Sequence, residues 1–208
     1  MLNVVCIKTG DKFDDRYVPR LKSMVDRNLT IPHNFVCFTD DIIDGIDCRE
    51  VKSNYGGWWD KTSLFREDLG IKDRMLYFDL DMLIVDNIDD IAKFDAPFTI
   101  IKQWKNLKSR GRGGITYSNY NSSCMVWKTV GNRSIVWTEL TDDKKEYWRS
   151  DQDWVGRIIP EEATFPSEWF RGFEQCKAGP PKNCKVVICN VHDNHTIDHI
   201  PWVNEIWR

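Results

Sequence analysis

Short apolar runs broken by turn residues set the rhythm of the first half of the chain. Positions 2–7 form an apolar run that opens into Lys8-Thr9-Gly10-Asp11, the pattern of a buried strand leading into a loop. Val18, Leu21, Met24, Val25 and Leu29 then recur at helical spacing, and Pro19 is tolerable there because it falls in the first turn. Positions 35–38 make a second short strand closed by Thr39-Asp40-Asp41, and Trp58, Thr62, Phe65 and Leu69 predict a second helix ending at Gly70. Positions 75–78 are apolar at every residue, as a central strand covered on both faces requires. The alternation of strands and helices predicts an α/β fold with a mostly parallel, doubly wound sheet flanked by helices.

The second half is less regular. Strands are expected at 98–101, 124–127 and 185–191, and helices at 132–140 and 151–159. Ala178-Gly179-Pro180-Pro181 reads as a loop, and no internal repeat or low-complexity linker divides the sequence. At 208 residues the expectation is one mixed α/β domain over 1–208, of a kind that also occurs as a module of longer chains.

Composition narrows the function classes. With 29 basic and 32 acidic residues the net charge is −3, so no whole-protein positive field exists to hold duplex DNA, and nucleic acid is not an expected partner. No apolar stretch approaches the ~20 residues that a bilayer-spanning helix needs. The opening Met1-Leu2-Asn3-Val4-Val5-Cys6 lacks the basic and apolar regions of an export signal, and a cytoplasmic location is expected. The seven cysteines are scattered, odd in number and without a CxxC pair, which suits small buried hydrophobes in a reducing compartment better than disulfides or structural zinc. The unusual count is ten tryptophans, whose flat faces serve as core or as platforms for sugar rings and nucleobases.

Tyr77-Phe78-Asp79-Leu80-Asp81-Met82-Leu83-Ile84-Val85 sets two carboxylates between apolar runs, and in extended chain residues i and i+2 project to the same side. One reading makes them turn or cap aspartates that end a strand. Carboxylates held close at the end of a buried strand repel, however, unless a cation joins them, and hard oxygens are the ligands of Mg²⁺ and Mn²⁺. Open α/β sheets also bind ligands at the carboxyl ends of their strands, where this pair lies. Further on, Ser150 with Asp153 fits a capping box at the start of the 151–159 helix, which leaves Asp151 and Gln152 free to face a ligand. The helix macrodipole alone also accounts for an acid at Asp151.

These elements together resemble the GT-A fold nucleotide-sugar glycosyltransferases, and within them the glycogenin-like group, over most of the chain. Asp79-Leu80-Asp81 matches the DxD motif of that family, followed by a similar Asn87-Ile88-Asp89-Asp90-Ile91. Asn121-Ser122-Ser123-Cys124-Met125-Val126-Trp127 is similar to the "NSG" strand, Asp151-Gln152 to the "DQ" pair, and Val191-His192 ahead of Pro201-Trp202 to the C-terminal "H…KPW" element. DxD alone is a weak signal; the elements in family order are a strong one. The chain also resembles glycan-building transferases encoded by large algal viruses, which would place it in the host cytoplasm.

The resemblance implies a Mn²⁺- or Mg²⁺-dependent transfer of a hexose from a UDP-sugar to a glycan acceptor, with the anomeric configuration retained. It implies Asp81 as a direct metal ligand, Asp79 toward ribose and metal, and His192 as the third ligand, with His195 as the rival and a structural histidine as the plain alternative. Lys61 matches the lysine of the family's "TKL" segment, which reaches the donor; a solvated helix lysine is the alternative. Thr9 and Tyr17 resemble the uracil pocket, Tyr17 as the stacking ring or, equally, as a core residue of its helix. The resemblance also implies Asp151 near the anomeric carbon and Asn121 with Gln152 on sugar hydroxyls. The stretch from His192 to Pro201 is longer than the family's and no lysine precedes Pro201, which puts one phosphate contact in doubt.

Rival readings are separable. An aspartate-nucleophile phosphatase also carries DxD after an apolar run, but directly after its first strand and followed by threonine, where this chain has Met82-Leu83. A sugar-nucleotide pyrophosphorylase wants a glycine-rich loop after strand one, and Gly10 is the single glycine there. A non-catalytic sugar- or nucleotide-binding module fits the tryptophans but not the full acidic set. Lys102, Lys105, Lys108, Arg110 and Arg112, ending in Gly113-Gly114 around Trp104, are expected either as a solvated loop or as a mobile lid over a bound diphosphate.

Overall fold

The computed structural model describes residues 1–103, 119–129, 133–148, 150–159, 163–189, 197 and 199–207, together with the backbone of 108–111 and 114–117. Among these residues seven strands form one mixed sheet. β1 (Leu2–Lys8) lies parallel to β2 (His33–Thr39) and to β4 (Arg74–Phe78), and β3 (Asp47–Arg49) is parallel to β2. β6 (Phe98–Lys102) and β10 (Ala163–Thr164) pair in parallel at the other edge. β9 (Tyr120–Lys128) enters between β4 and β6 and runs antiparallel to both. The mostly parallel α/β sheet expected from the sequence is therefore present, with one reversed strand near its centre.

Strand alternation divides the core in two. Val4 and Cys6 of β1 point into a cluster with Leu21, Met24 and Val25 of α1 (Tyr17–Asn28) and with Val203 of the C-terminal helix Pro201–Ile206. Val5 points to the opposite face, into a cluster with Phe65, Trp127 and Trp154. Both faces of the central strands are thus withdrawn from water, which is why β4 is buried from Met75 to Phe78. A smaller sheet, β11 (Phe170–Gly172), β12 (Val186–Ile188) and β5 (Met82–Ile84), follows from the apolar continuation after Asp81, with β12 antiparallel to β5 and the short α2 (Asp89–Ala92) after it. No described helix is long and apolar enough to cross a membrane.

Several sequence expectations are corrected. The helix predicted through Trp58, Thr62, Phe65 and Leu69 is a 3₁₀ helix, Gly57–Phe65, which stops before Leu69. Thr62 and Ser63 explain the tighter winding, because their hydroxyls donate to the carbonyls of Trp59 and Asp60 three residues back, at 2.7 and 2.6 Å. The helix expected at 132–140 is one turn, α3 (Ile135–Thr138), and is followed by an unforeseen α4 (Asp142–Tyr147) capped by Thr141. The charged stretch at 102–114 contains a backbone hairpin, β7 (Lys108–Gly111) with β8 (Gly114–Tyr117), where a loop was expected. Trp104, Lys105, Arg112 and Gly113 lie outside the described residues.

α5 (Asp151–Ile158) sits close against β9 because Gly156 has no side chain. A Cβ there would come within 2.4 Å of the Tyr120 ring. That close approach carries the first residue of α5, Asp151, to the beginning of β9.

Candidate active site

The reversed direction of β9 builds the site. Because β9 is antiparallel to β4, its first residues meet the carboxyl end of β4: Cys124 pairs with Phe78, and the Asp79 amide donates to the Ser123 carbonyl at 2.9 Å. Asn121 and Ser122 are thereby delivered beside Asp79. The Asn121 side-chain oxygen accepts from the Ser123 amide at 3.0 Å and fixes this turn of the strand.

Lys61, from the 3₁₀ helix, reaches into the junction. Its Nζ lies 3.0 Å from Asp79 Oδ1, 3.4 Å from Asp151 Oδ2 and 3.1 Å from the Ser122 hydroxyl. Ser122 in turn donates to Asp151 Oδ2 at 2.5 Å, and the buried Tyr77 hydroxyl donates to Asp79 Oδ1 at 2.5 Å. The lysine expected on a solvated or donor-facing helix is thus nearly buried, with side-chain exposures of 11% for Lys61, 21% for Asp79 and 5% for Asp151. Tyr77 and Ser122 were not singled out by the sequence reading. Tyr77 was findable, since it stands two residues before Asp79 on the same side of the strand.

The electrostatics follow from burial and charge in competition. Burial works against the Lys61 ammonium, but the Asp151 and Asp79 carboxylates outweigh it and hold its pKa above the ordinary lysine value. Burial likewise opposes charge on Asp79, yet Lys61, Tyr77 and Ser123 bring its pKa below the usual carboxylate value. Asp151 goes the other way: burial raises it, and Lys61 and Ser122 offset this only in part, with Asp79 adding repulsion. Asp81 is pushed up to about 7 by burial and then by the charge of Asp79, against the weaker pull of Lys12 and Lys61. Its carboxylate has no side-chain hydrogen bond or ion pair with any described residue, while its carbonyl accepts from the Cys189 amide at 3.3 Å.

That donor set tests the implied metal. Two hard carboxylates, one of them without a direct ion pair and raised in pKa by burial and then by its neighbour, fit a divalent ion. Among the described residues no group of three or more His, Cys, Asp or Glu is gathered to hold a metal. His192 and His195, the candidate third ligands, lie outside the described residues.

A second feature opens at the ends of β1 and β2. A cleft of about 380 Å³ is lined by Lys8, Thr9, Phe13, Asp15, Asp41 and neighbouring acids. Thr9 lines it, with its hydroxyl donated to the buried Asp60 at 2.8 Å. Tyr17 takes the core alternative: it is 3% exposed, between Phe13 at 4.9 Å and Trp207 at 5.2 Å between ring centroids. Phe13 is the aromatic ring on the cleft, a residue the sequence reading passed over. Gln152 is half-buried next to Asp151, and Ser150 caps the helix by accepting from the Asp153 amide at 3.4 Å.

No family model matches the chain. No curated protein matches it either. Solved structures do. An active-site mutant of LgtC superposes with a TM-score of 0.65 at 12% identity, over 90% of this chain and 86% of that one. The apo glycosyltransferase GlyE of Streptococcus pneumoniae gives 0.62 at 10% identity, over 89% and 53% of the two chains. The bifunctional glycosyltransferase WbbM gives 0.61 at 11%, over 99% and 51%, so this chain spans about half the length of the latter two. The galactosyltransferase LgtC in complex with donor and acceptor sugar analogs is similar at a TM-score of 0.58. With a mixed seven-stranded sheet, a reversed strand beside the acidic pair and these neighbours, the chain has the GT-A fold of glycosyltransferases.

Proposed function

We propose that this chain is a metal-dependent glycosyltransferase that moves a hexose from a UDP-sugar to a glycan acceptor with retention at the anomeric carbon, its described residues forming one catalytic unit. The observation that carries the reading is Lys61 joining Asp79 to Asp151 at the carboxyl end of β4, in a fold shared with sugar transferases. Asp79 and Asp81 would hold the cation, with His192 as the proposed third ligand. When bound there, the cation supplies neutralisation of the diphosphate and of the charge that grows on it as it leaves.

The chain's own groups do the rest. Lys61 and Ser122 hold the Asp151 carboxylate in one orientation, so its negative charge is set in place beside a sugar whose anomeric carbon becomes electron-poor. Tyr77 pins Asp79 from beneath, so the acid that faces donor and metal does not swing. Asn121 and Gln152 are assigned to sugar hydroxyls, and Thr9 with Phe13 to the uridine in the β1 cleft.

The test is release of UDP from a panel of UDP-hexoses with Mn²⁺, with Mg²⁺ and with chelator. The expected result is metal-dependent release that Asp81→Asn abolishes while the variant stays folded. Undiminished release by that variant in chelator overturns the assignment.

A further inference from the structure

Trp58 stands where a buried site meets solvent. In a 3₁₀ helix, side chains at i and i+3 eclipse one another, and Trp58 and Lys61 have that spacing within Gly57–Phe65. The two therefore share one face of the helix. Lys61 is 9% exposed and holds Asp79 and Asp151; Trp58, one turn earlier, is 54% exposed.

The backbone that carries the indole is also held in place. It follows Gly56 and Gly57, both at positive φ (76° and 61°), a turn that a side-chain-bearing residue adopts only under strain. The buried Asp60 carboxylate locks this turn by accepting from the Gly56 amide at 2.9 Å and from the Thr9 hydroxyl at 2.8 Å. A fixed backbone lessens the freedom this segment loses when a flat ligand covers the indole.

A second exposed ring is carried by a touching segment. Tyr55 donates its hydroxyl to the Leu140 carbonyl at 2.8 Å and lies 4.3 Å under the Lys145 ammonium of α4. Tyr147, two residues further along α4, is 55% exposed and meets Trp148 edge-on at 5.0 Å. The segments bearing Trp58 and Tyr147 thus touch through Tyr55, and Trp58 itself lies one 3₁₀ turn from Lys61.

We infer that Trp58, with Tyr147 as an outer ring, is the platform on which a hexopyranose of the acceptor glycan stacks. The chemistry selects this occupant: one face of a pyranose is a patch of C–H groups that matches an indole, while its hydroxyl edge matches the charged surround. The metal-facing side of the cluster, at Asp79 and Asp81, belongs to the donor diphosphate in the proposed function. The Trp58 side is what remains for the ring that receives the sugar. The inference rests on that proposed function for the word acceptor, but the stacking itself is testable apart from it.

Methyl α- and β-hexopyranosides, maltose and lactose serve as probes, titrated into the metal-loaded protein and followed by NMR. One of them is expected to bind and to shift the indole N–H signal that Trp58→Phe removes. Trp58→Ala should weaken that binding about tenfold or more, and Tyr147→Ala by less. The platform is overturned if no probe binds, if the Trp58 signal stays still, or if Trp58→Ala binds as the parent does. It is also overturned if sedimentation shows a dimer that Trp58→Ala converts to monomer, which would assign the indole to a second copy. UDP-hexose binding by the unsubstituted protein is measured in parallel. Its absence, with saccharide stacking intact, would sink the transferase reading and leave the platform standing.

Discussion

Lys8 and Lys61 are both nearly buried, and each grips two aspartates. Lys8 reaches Asp15 and Asp41 at 3.2 and 2.6 Å; Lys61 reaches Asp79 and Asp151 at 3.0 and 3.4 Å. Distance alone would rank the first clamp as the tighter. Its carboxylates, however, are 76% and 54% exposed, whereas those of Lys61 are 21% and 5% exposed. Carboxylates that keep their water need no ammonium, and carboxylates that have lost it do. The cost of losing a clamp is therefore set by what is left behind, and contact length is a poor guide to it.

The sharpest way to break this comparison is Lys61→Met, which strands two buried acids. It should cost about 3–5 kcal/mol in urea unfolding near neutral pH, the range for breaking a buried ion pair from one side. A loss below about 1 kcal/mol would show that the two clamps are equivalent. Asp151→Asn comes next and separates chemistry from folding, since asparagine keeps the shape and loses the charge. UDP release from a UDP-hexose should fall on the order of 10²-fold or more while the melting temperature moves little. Turnover equal to that of the parent would remove Asp151 from the reaction.

A pH test sharpens the contrast further. The folded-state pKa of Asp81 is raised to about 7, so between the ordinary carboxylate value and that point the folded protein holds a proton that the unfolded chain has released. Through this group, stability is present at low pH and is lost as pH rises toward and through 7. Asp81→Asn should accordingly raise the melting temperature of the metal-free protein more at pH 8 than at pH 5. Mn²⁺ added to the parent at pH 8 should act in the same direction. An Asp81→Asn profile parallel to that of the parent would show that Asp81 is not under this strain. The smallest effect is expected for Lys8→Met, about 1 kcal/mol or less by the same urea assay, because Asp15 and Asp41 return to water.

How far the sequence could be read depended on the range of the forces involved. β1, α1, β2 and β4 were legible because one side-chain periodicity decided each of them, and Asp79 and Asp81 were legible because they interrupt an apolar run. The 3₁₀ helix was not, since its Trp58, Thr62 and Phe65 mimic α-helical spacing while the hydroxyls of Thr62 and Ser63 decide the winding. α4 escaped because it buries none of its side chains and so leaves no apolar stripe. In the site, Asp151 and Asn121 were reached through motif resemblance. Neither Ser122 between Lys61 and Asp151 nor the Lys8 clamp leaves any mark in local pattern, because each joins segments that only the sheet order brings together. The cap at α5 was legible from local pattern: Ser150 does accept from the Asp153 amide.

Because β9 runs backwards between its neighbours, the partners of Lys61 are scattered along the chain: Asp79 is 18 residues away and Ser122 is 61. Closing such distant contacts is the slow part of folding a sheet protein. During synthesis the Lys61 ammonium stays hydrated while β1, β2 and β4 form, since a chain that has not yet delivered β9 and α5 offers it one carboxylate of its final pair. The second carboxylate, Asp151, comes only with α5, which packs through Gly156 onto Tyr120. A chain that stops short of α5 therefore carries Lys61 and Asp79 without Asp151, and the three-residue cluster exists only once β9 and α5 are both in place.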